Sequence, residues 1–137
     1  MKVAAITDDG ITISHHFGRA RYYQVHLIED GAVVSRELRE KAGHHDFAHE
    51  GDHDHAHEGR HDPRGHGFGR GAADRHARMI EAIADCDVLL VRGMGQGAYL
   101  ALGEAGITPI VTDIETIEEA VQAYLDGGIV DHTERLH

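Results

Sequence analysis

Apolar and polar positions in the first part of the chain predict three strands. Residues 3–6 form a short apolar run that ends in a turn-rich stretch at residues 7–10, as expected of a first strand. Apolar and polar residues alternate over residues 23–27, and this period of two predicts a second strand with one buried face. Asp-Gly within residues 29–31 supplies the positive φ of a hairpin turn, so residues 32–38 should return as a third strand.

The pattern changes to alternating helices and strands after residue 72. Alanine and isoleucine recur at helical spacing over residues 73–84, and residues 88–91 are an unbroken apolar run, which predicts a strand covered on both faces. A glycine-rich stretch at residues 93–98 leads into a short helix that Gly106 can end. The result is a helix, a buried strand and a second helix.

The last elements complete a mixed α/β pattern. Residues 107–111 predict another buried strand, and Thr116 with Glu119 forms a capping box at the start of a final helix that Gly127 stops. The order is three strands, an insertion, then helix–strand–helix–strand–helix. A meander followed by βαβ units predicts an α/β fold with a mixed sheet, helices packed on it and right-handed crossovers.

Length, apolar runs and charge indicate a single domain and argue against membrane and nucleic-acid partners. The 137 residues suit one domain. No apolar run reaches the roughly 18 residues of a membrane span, and no signal-peptide pattern is visible, so we expect a cytoplasmic protein without a membrane partner. Because 24 acidic side chains outnumber 13 basic ones, a nucleic acid is not an expected partner. The one cysteine excludes an internal disulfide and a cluster held by several thiolates of this chain.

Residues 43–71 form a His/Gly/Asp-rich insertion that lacks the apolar side chains of a core. It contains five tetrads that each end in histidine followed by an acid. Histidines four apart share a helical face, and an alternating triplet offers an extended chelate, so the insertion should capture a divalent transition metal such as Zn, Ni, Co or Cu. The alternative is a flexible polar loop without a cellular role. The candidate ligands are His45, His49, His53, His55, His57 and His61.

Several short motifs resemble the dinitrogenase iron–molybdenum cofactor biosynthesis family. They occur in order on both sides of the insertion: Thr7-Asp8-Asp9-Gly10, Ser14-His15-His16-Phe17-Gly18-Arg19-Ala20, Cys86-Asp87-Val88, Gly93-Met94-Gly95-Gln96-Gly97-Ala98 and Thr116-Ile117-Glu118-Glu119-Ala120. The resemblance implies a ribonuclease-H-like three-layer α/β/α fold with a five-stranded sheet in the order 3-2-1-4-5. It also implies a role in binding, carrying or assembling iron–molybdenum or other metal–sulfur clusters.

That strand order predicts where a site lies. Strands 1 and 4 would be parallel neighbours whose connections leave in opposite directions, and a crevice opens at the carboxyl ends of strands at such a point. Residues 8–17 and 93–98 would face this crevice. The third strand would end at the same edge, which would tether the insertion above it.

Candidate cluster-binding residues follow from these two stretches. The resemblance makes His16 the proposed cluster contact, since it matches the histidine of the family's His-Phe-Gly motif; the alternative is that His16 hydrogen-bonds its own loop. His15 could be a second ligand. Arg19 and Arg92 could offset an anionic charge. The stretch containing Gly93, Met94, Gly95 and Gly97 could cradle an anion on backbone N–H groups, or could simply be a tight turn.

Other residues support competing hypotheses. Asp8 and Asp9 could hold a hard cation in a metal-dependent hydrolase of ribonuclease-H-like type, although a solvated turn is the favoured interpretation. Cys86 is more typical of a buried small apolar residue than of a ligand. A histidine-rich metal store on an inert scaffold is a third hypothesis.

The sequence therefore predicts a cluster carrier and not an enzyme. It contains no catalytic triad, nucleophile elbow or phosphate-binding loop. The expected partners are a metal cluster or metal ion and a cofactor-assembly protein, and the expected state is a monomer or weak homodimer.

Overall fold

The computed structural model describes the backbone of residues 1–41 and 70–136 and, in the first helix, side chains from residue 76 onward. Local patterns account for most element boundaries, because apolar runs form the strands and amphipathic stretches form the helices. The elements in chain order are β1 (Lys2–Thr7), β2 (Tyr22–Glu29), β3 (Ala32–Glu40), α1 (Arg70–Glu81), β4 (Val88–Val91), α2 (Gln96–Glu104), β5 (Thr108–Val111), α3 (Ile117–Leu125) and a 3₁₀ turn (Thr133–Arg135).

The five strands form one mixed sheet in the order β3-β2-β1-β4-β5. β2 pairs antiparallel with both β1 and β3, whereas β4 pairs parallel with β1 and β5. The predicted α/β class, strand order and mixed sheet are confirmed. β3 therefore runs in the direction of β1, and its end lies at the edge where β1 and β4 end.

The turn between β2 and β3 is the two-residue hairpin that Asp-Gly predicts. Glu29 pairs with Ala32 in the register, so Asp30 and Gly31 form the whole connection. Their φ angles are 54° and 77°, which are the left-handed values that a type I′ turn needs at both central positions.

Helices contact both faces of the sheet. The Tyr23 hydroxyl donates to the carbonyl oxygen of Met79 in α1 at 2.8 Å. His26 is three residues after Tyr23 in β2, and its Nε2 atom lies 3.2 Å from Oε2 of Glu118 in α3. Since successive side chains of a strand point to opposite faces, α1 and α3 lie on opposite sides.

The prediction that β2 has only one buried face was wrong. His26 lies on the polar side of the alternation, yet it is 0% exposed. Its burial is possible because Glu118 supplies an acceptor for the ring and α3 excludes water from that side. Only the packing of a helix from the far end of the chain reveals this.

The first helix begins earlier than its sequence pattern indicates. α1 starts at Arg70 and ends at Glu81, so the last two residues of the expected 43–71 insertion belong to the helix, and Ala84 lies beyond it. The histidine tetrads and all six of their candidate metal ligands lie outside the described residues. Within the described part of the chain, no helix is long and apolar enough to span a membrane.

Candidate functional site

The loops after β1 and β4 meet at the carboxyl ends of these parallel neighbours. The Arg92 Nη1 atom lies 3.1 Å from Nε2 of His15. A Cβ placed on Gly93 would lie 3.4 Å from the carbonyl oxygen of His15. The structure thus brings together the two stretches that carry the sequence motifs.

Asp9 organises the first loop through its carboxylate. Oδ1 accepts hydrogen bonds from the backbone N–H groups of Ile11 and Thr12, both at 2.8 Å, and Oδ2 accepts from the Thr12 hydroxyl at 2.9 Å. The hydrogen bonds from Thr12 and Ile11 lower the pKa of Asp9 to about 2, since they favour the ionised form. This arrangement gives Asp9 a role in holding the turn.

Asp8 is also occupied by the loop backbone. Its Oδ1 atom accepts a hydrogen bond from the N–H of Arg21 at 3.0 Å, which ties the start of the loop to its end. The described residues contain no group of three or more His, Cys, Asp or Glu that could hold a metal ion. The geometry here does not assemble the carboxylate cluster that a metal-dependent hydrolase would use.

His16 is exposed, and its backbone holds the turn. Its N–H donates to the Ser14 hydroxyl at 3.2 Å, and its carbonyl oxygen accepts from the N–H groups of Arg19 and Ala20 at 3.2 and 3.1 Å. Within residues 1–41 and 70–136, the imidazole itself receives no hydrogen bond. In the structure, the backbone of His16 and not its imidazole forms the hydrogen bonds that hold the loop.

Phe17 anchors the same loop against a buried lysine. Phe17 is buried, and the Nζ atom of Lys41 lies 4.7 Å from the centre of its ring. Lys41 is only 3% exposed, and its Nζ atom also lies 3.1 Å from the sulfur of Met79. Burial lowers the pKa of Lys41 to about 8, and the nearby charge of Asp8 partly opposes this shift. Nothing in the local sequence distinguishes Lys41 from a surface lysine.

The imidazole of His15 contacts Arg92 of the other loop through one of its two ring nitrogens. Because a guanidinium has only donors, the Nε2 atom of His15 must accept the hydrogen bond from Arg92, and its ring proton then lies on Nδ1. Only Nδ1 is left for another partner. Arg92 itself keeps a buried Nε–H that no atom of the described structure accepts.

The glycine-rich stretch forms the start of α2. Gly95 is the N-cap, with extended backbone angles and no side-chain capping bond, so the first N–H groups of the helix, which include that of Gly97, lack a side-chain acceptor. Met94 is 2% exposed, and its side chain therefore packs in the core. Met94 therefore belongs to the support of the stretch and does not line an open surface of the crevice.

Two further candidates have clear positions. Arg19 is exposed in the turn that follows His16. Cys86 is a free, buried cysteine before β4, at the strand end opposite the two loops. Burial raises the pKa of its thiol to about 11, so the thiol is protonated near neutral pH and a poor metal ligand in this state.

Residues after α3 also reach this edge, which the sequence did not suggest. The N–H of His132 donates to the carbonyl of Val111 at 2.7 Å, and the Asp131 carboxylate accepts from the Val111 N–H at 2.9 Å. Leu136 forms an isolated parallel bridge with Met94. The C-terminal segment thus supports the stretch before α2 from its outer side.

Two solved structures are similar over nearly their whole length. The crystal structure of PH0822 has a TM-score of 0.64 and 22% identity, and the alignment covers 96% of this chain and 97% of that one. The apo form of the orange protein from Desulfovibrio gigas has a TM-score of 0.62 and 22% identity, with 93% and 89% covered. At these identities the similarity establishes the fold.

Sequence comparisons extend the result to the family level. An uncharacterised protein of Methanocaldococcus jannaschii, MJ0580, is 24% identical over 127 residues, which are 93% of this chain and 87% of that protein. The dinitrogenase iron-molybdenum cofactor family matches residues 1–127. The resemblance of the motifs is confirmed, and the chain belongs to the dinitrogenase iron-molybdenum cofactor family.

Proposed function

We propose that the protein binds and carries an anionic metal–sulfur cluster, of iron–molybdenum or another molybdenum–sulfur type, between the loops after β1 and β4. One observation carries the proposal: the exposed His16 imidazole receives no hydrogen bond within the described residues, although its backbone is firmly held. A held backbone with a free imidazole is a suitable arrangement for a ligand to a metal or cluster. Family membership supports the choice of a cluster as cargo.

The donors around the crevice suit a preformed anion. The N-terminus of α2 offers N–H groups without a side-chain cap, and these carry partial positive charge. Arg92 adds a full positive charge between the loops. Since Cys86 lies at the other end of β4, no thiolate in the described residues reaches this edge. The protein would hold a cluster that was assembled elsewhere.

This role is that of a carrier and not of an enzyme. Asp8 and Asp9 both hold the loop backbone, which gives the hydrolase hypothesis no support. The sheet order and the helices on both faces support a ribonuclease-H-like three-layer fold as part of the proposal. The proposal includes cytoplasmic localisation, a cofactor-assembly protein as partner, and metal capture by the histidine tetrads of residues 43–62.

Elemental analysis and a visible spectrum test the function directly. The wild type and His16→Ala would be purified without oxygen from cells that make molybdenum–sulfur clusters. We expect iron or molybdenum with sulfide in the wild type and at least about a tenfold loss in His16→Ala, because one ligand bond to the cluster disappears.

His132→Ala is the matched control. It also removes one imidazole, but that ring is held by Glu134 at 2.9 Å, so cargo should be retained. Equal metal and sulfide content in the wild type and His16→Ala would reject His16 as the main ligand. Purification with only Zn, Ni or Co, unchanged by His16→Ala, would move the function to the histidine-rich insertion.

A further inference from the structure

We infer that Arg92 is the anion-binding residue of the crevice, and that His15 positions its guanidinium and does not serve as a second metal ligand. This inference deepens the proposed function and rests on it for the location of the ligand. The ligand class is an inorganic anion with several terminal oxygen or sulfide atoms, which includes the outer surface of a metal–sulfur cluster.

Arg92 occupies the position that connects the two loops. It directly follows β4, precedes the glycine that approaches the first loop, and binds Nε2 of His15 across 77 residues of sequence. β1 and β4 are parallel neighbours with connections that leave in opposite directions, which is where ligands bind in open α/β sheets. The guanidinium therefore lies where a ligand should bind.

The hydrogen bonds of Arg92 are incomplete. Its Nε–H is buried and has no acceptor among the described residues, and its contact with His15 satisfies only one of its five donors. An unpaired donor of a permanently charged group is costly when it is shielded from water. A bound anion would accept hydrogen bonds from the Nη donors that stay accessible, and it would supply the opposite charge beside the buried Nε–H.

The other sheet arginines provide an internal comparison. Arg36 donates to the Glu118 carboxylate at 2.7 and 2.9 Å, and Arg39 donates to Asp85 and Glu37 at 2.7 Å. Arg92 forms no such ion pair in the described residues, although the chain has 24 acidic side chains. Within the described residues, the guanidinium of Arg92 thus keeps its charge without a carboxylate partner.

His15 is suited to holding this charge without cancelling it. A neutral imidazole accepts a hydrogen bond from the guanidinium, whereas a carboxylate would neutralise it. The planar guanidinium can then present its remaining donors to two atoms of one anion. Arg19 differs, because it is exposed in its turn, where water and salt weaken its attraction for an anion.

Calorimetric titration with molybdate tests the inference on the full chain. A chelator would be present, so that metal on the histidine tetrads cannot bridge to the anion. We expect Arg92→Met to weaken molybdate binding at least about tenfold, because charge-assisted hydrogen bonds are lost. Arg92→Lys keeps the positive charge but lacks the planar set of guanidinium donors, so its affinity for molybdate should lie between those of Arg92→Met and the wild type.

Control variants separate binding from structure. Arg21→Met, which removes an exposed arginine side chain before β2, should stay within about twofold of the wild type. His15→Gln keeps an acceptor and should bind better than His15→Leu. The thermal midpoint of ligand-free Arg92→Met should equal or exceed that of the wild type, because an unsatisfied buried donor is removed; a purely structural arginine would lower it.

The outcomes distinguish this inference from the proposed function. Loss of molybdate binding in Arg92→Met would support the inference, whether or not a cluster purifies with the wild type. Absence of a cluster from the wild type would then contradict only the carrier function. No molybdate binding by the wild type, or equal binding by the wild type and Arg92→Met, would overturn the inference. A cluster retained equally in both proteins would also overturn it and leave the carrier function intact.

Discussion

At the scale of single residues, adjacent side chains in the first loop have separate tasks. Asp9 folds the turn, the backbone of His16 closes the next one, and Phe17 packs against Lys41. The exposed imidazole of His16 is thus attached to a backbone that its neighbours hold in place. Loop stability and ligand binding should therefore respond to different substitutions.

Replacing Asp9 should destabilise the fold in a pH-dependent way. Asp9→Ala removes the hydrogen bonds that the carboxylate accepts from the loop backbone and from the hydroxyls of Thr7 and Thr12. We expect it to lower the free energy of unfolding at pH 7 by about 1–2 kcal/mol. Since the folded-state pKa of about 2 lies below the ordinary 3.8, this stabilisation is present above pH 4 and is lost as the pH falls towards 2. Urea unfolding at pH 7, 4 and 3 measures the convergence, and a constant difference would contradict this account.

Replacing the buried Lys41 should stabilise the protein near neutral pH, and this gain should disappear as the pH rises. Its pKa of about 8 in the folded protein, against 10.5 ordinarily, means that the unfolded chain binds more protons between these values, so wild-type stability rises with pH there. Lys41→Met removes the buried charge and should be more stable at pH 7, on the order of 2 kcal/mol, after the lost contact with Phe17 is counted. The free energies of unfolding of the wild type and Lys41→Met should converge between pH 7 and 10.5. A constant difference over this range would contradict a buried charge at Lys41.

At the scale of elements, the start of α3 is capped by its own residues and also contacts the loop after β1. The Thr116 hydroxyl accepts from the Glu119 N–H at 3.4 Å, which confirms Thr116 as the predicted N-cap. The Glu119 carboxylate accepts from the same hydroxyl at 2.6 Å, and not from the backbone N–H of Thr116 as a full capping box requires. The N–H of Ile117 donates to the carbonyl of Ile11 in the first loop at 2.9 Å. The start of α3 is therefore fixed both by its own cap and by the loop that presents His16.

Loss of this cap should weaken α3 without removing the ligand site. We expect Thr116→Ala to lower the free energy of unfolding by about 1 kcal/mol, while Thr116→Ser retains most of it, because serine also caps well. Chemical denaturation at pH 7 measures both changes. Equal stability of Thr116→Ala and the wild type would mean that the contact with Ile11 alone defines the start of the helix.

At the scale of the whole molecule, the described core does not depend on the histidine-rich insertion for apolar residues. The buried apolar side chains lie in the strands, the helices and the loops after β1 and β4. Residues 43–69 contribute almost no large apolar side chains. Two separable functions are then expected, one in the crevice and one in the insertion.

Deletion of residues 43–69 should separate these functions. The boundary keeps Lys41 and leaves α1 intact from Arg70, and a short glycine–serine linker would join the ends. We expect Zn or Ni binding to fall to background while crevice cargo is retained, as measured by equilibrium dialysis and elemental analysis. Simultaneous loss of both in a variant with native circular dichroism would show that the insertion completes the crevice.

Local rules explain how much of the fold and site could be predicted. Apolar runs, the Asp-Gly turn and the Thr116 cap depend on residues a few positions apart, and the strands, the turn and the N-cap formed where the sequence predicts them. The motifs indicated the family and thereby the strand order and the two facing loops. The role of Asp9 as a turn former agreed with the favoured interpretation, because its partners are its near neighbours.

The sequence by itself determined the elements and the family, because neighbouring residues set backbone conformation. Tertiary structure alone decided which polar residues from distant parts of the chain are buried and paired. The contact of His15 with Arg92 spans 77 residues, and that of His26 with Glu118 spans 92. Such pairs form only when the sheet brings distant segments together and excludes water, and the electrostatic properties of this site follow from that packing.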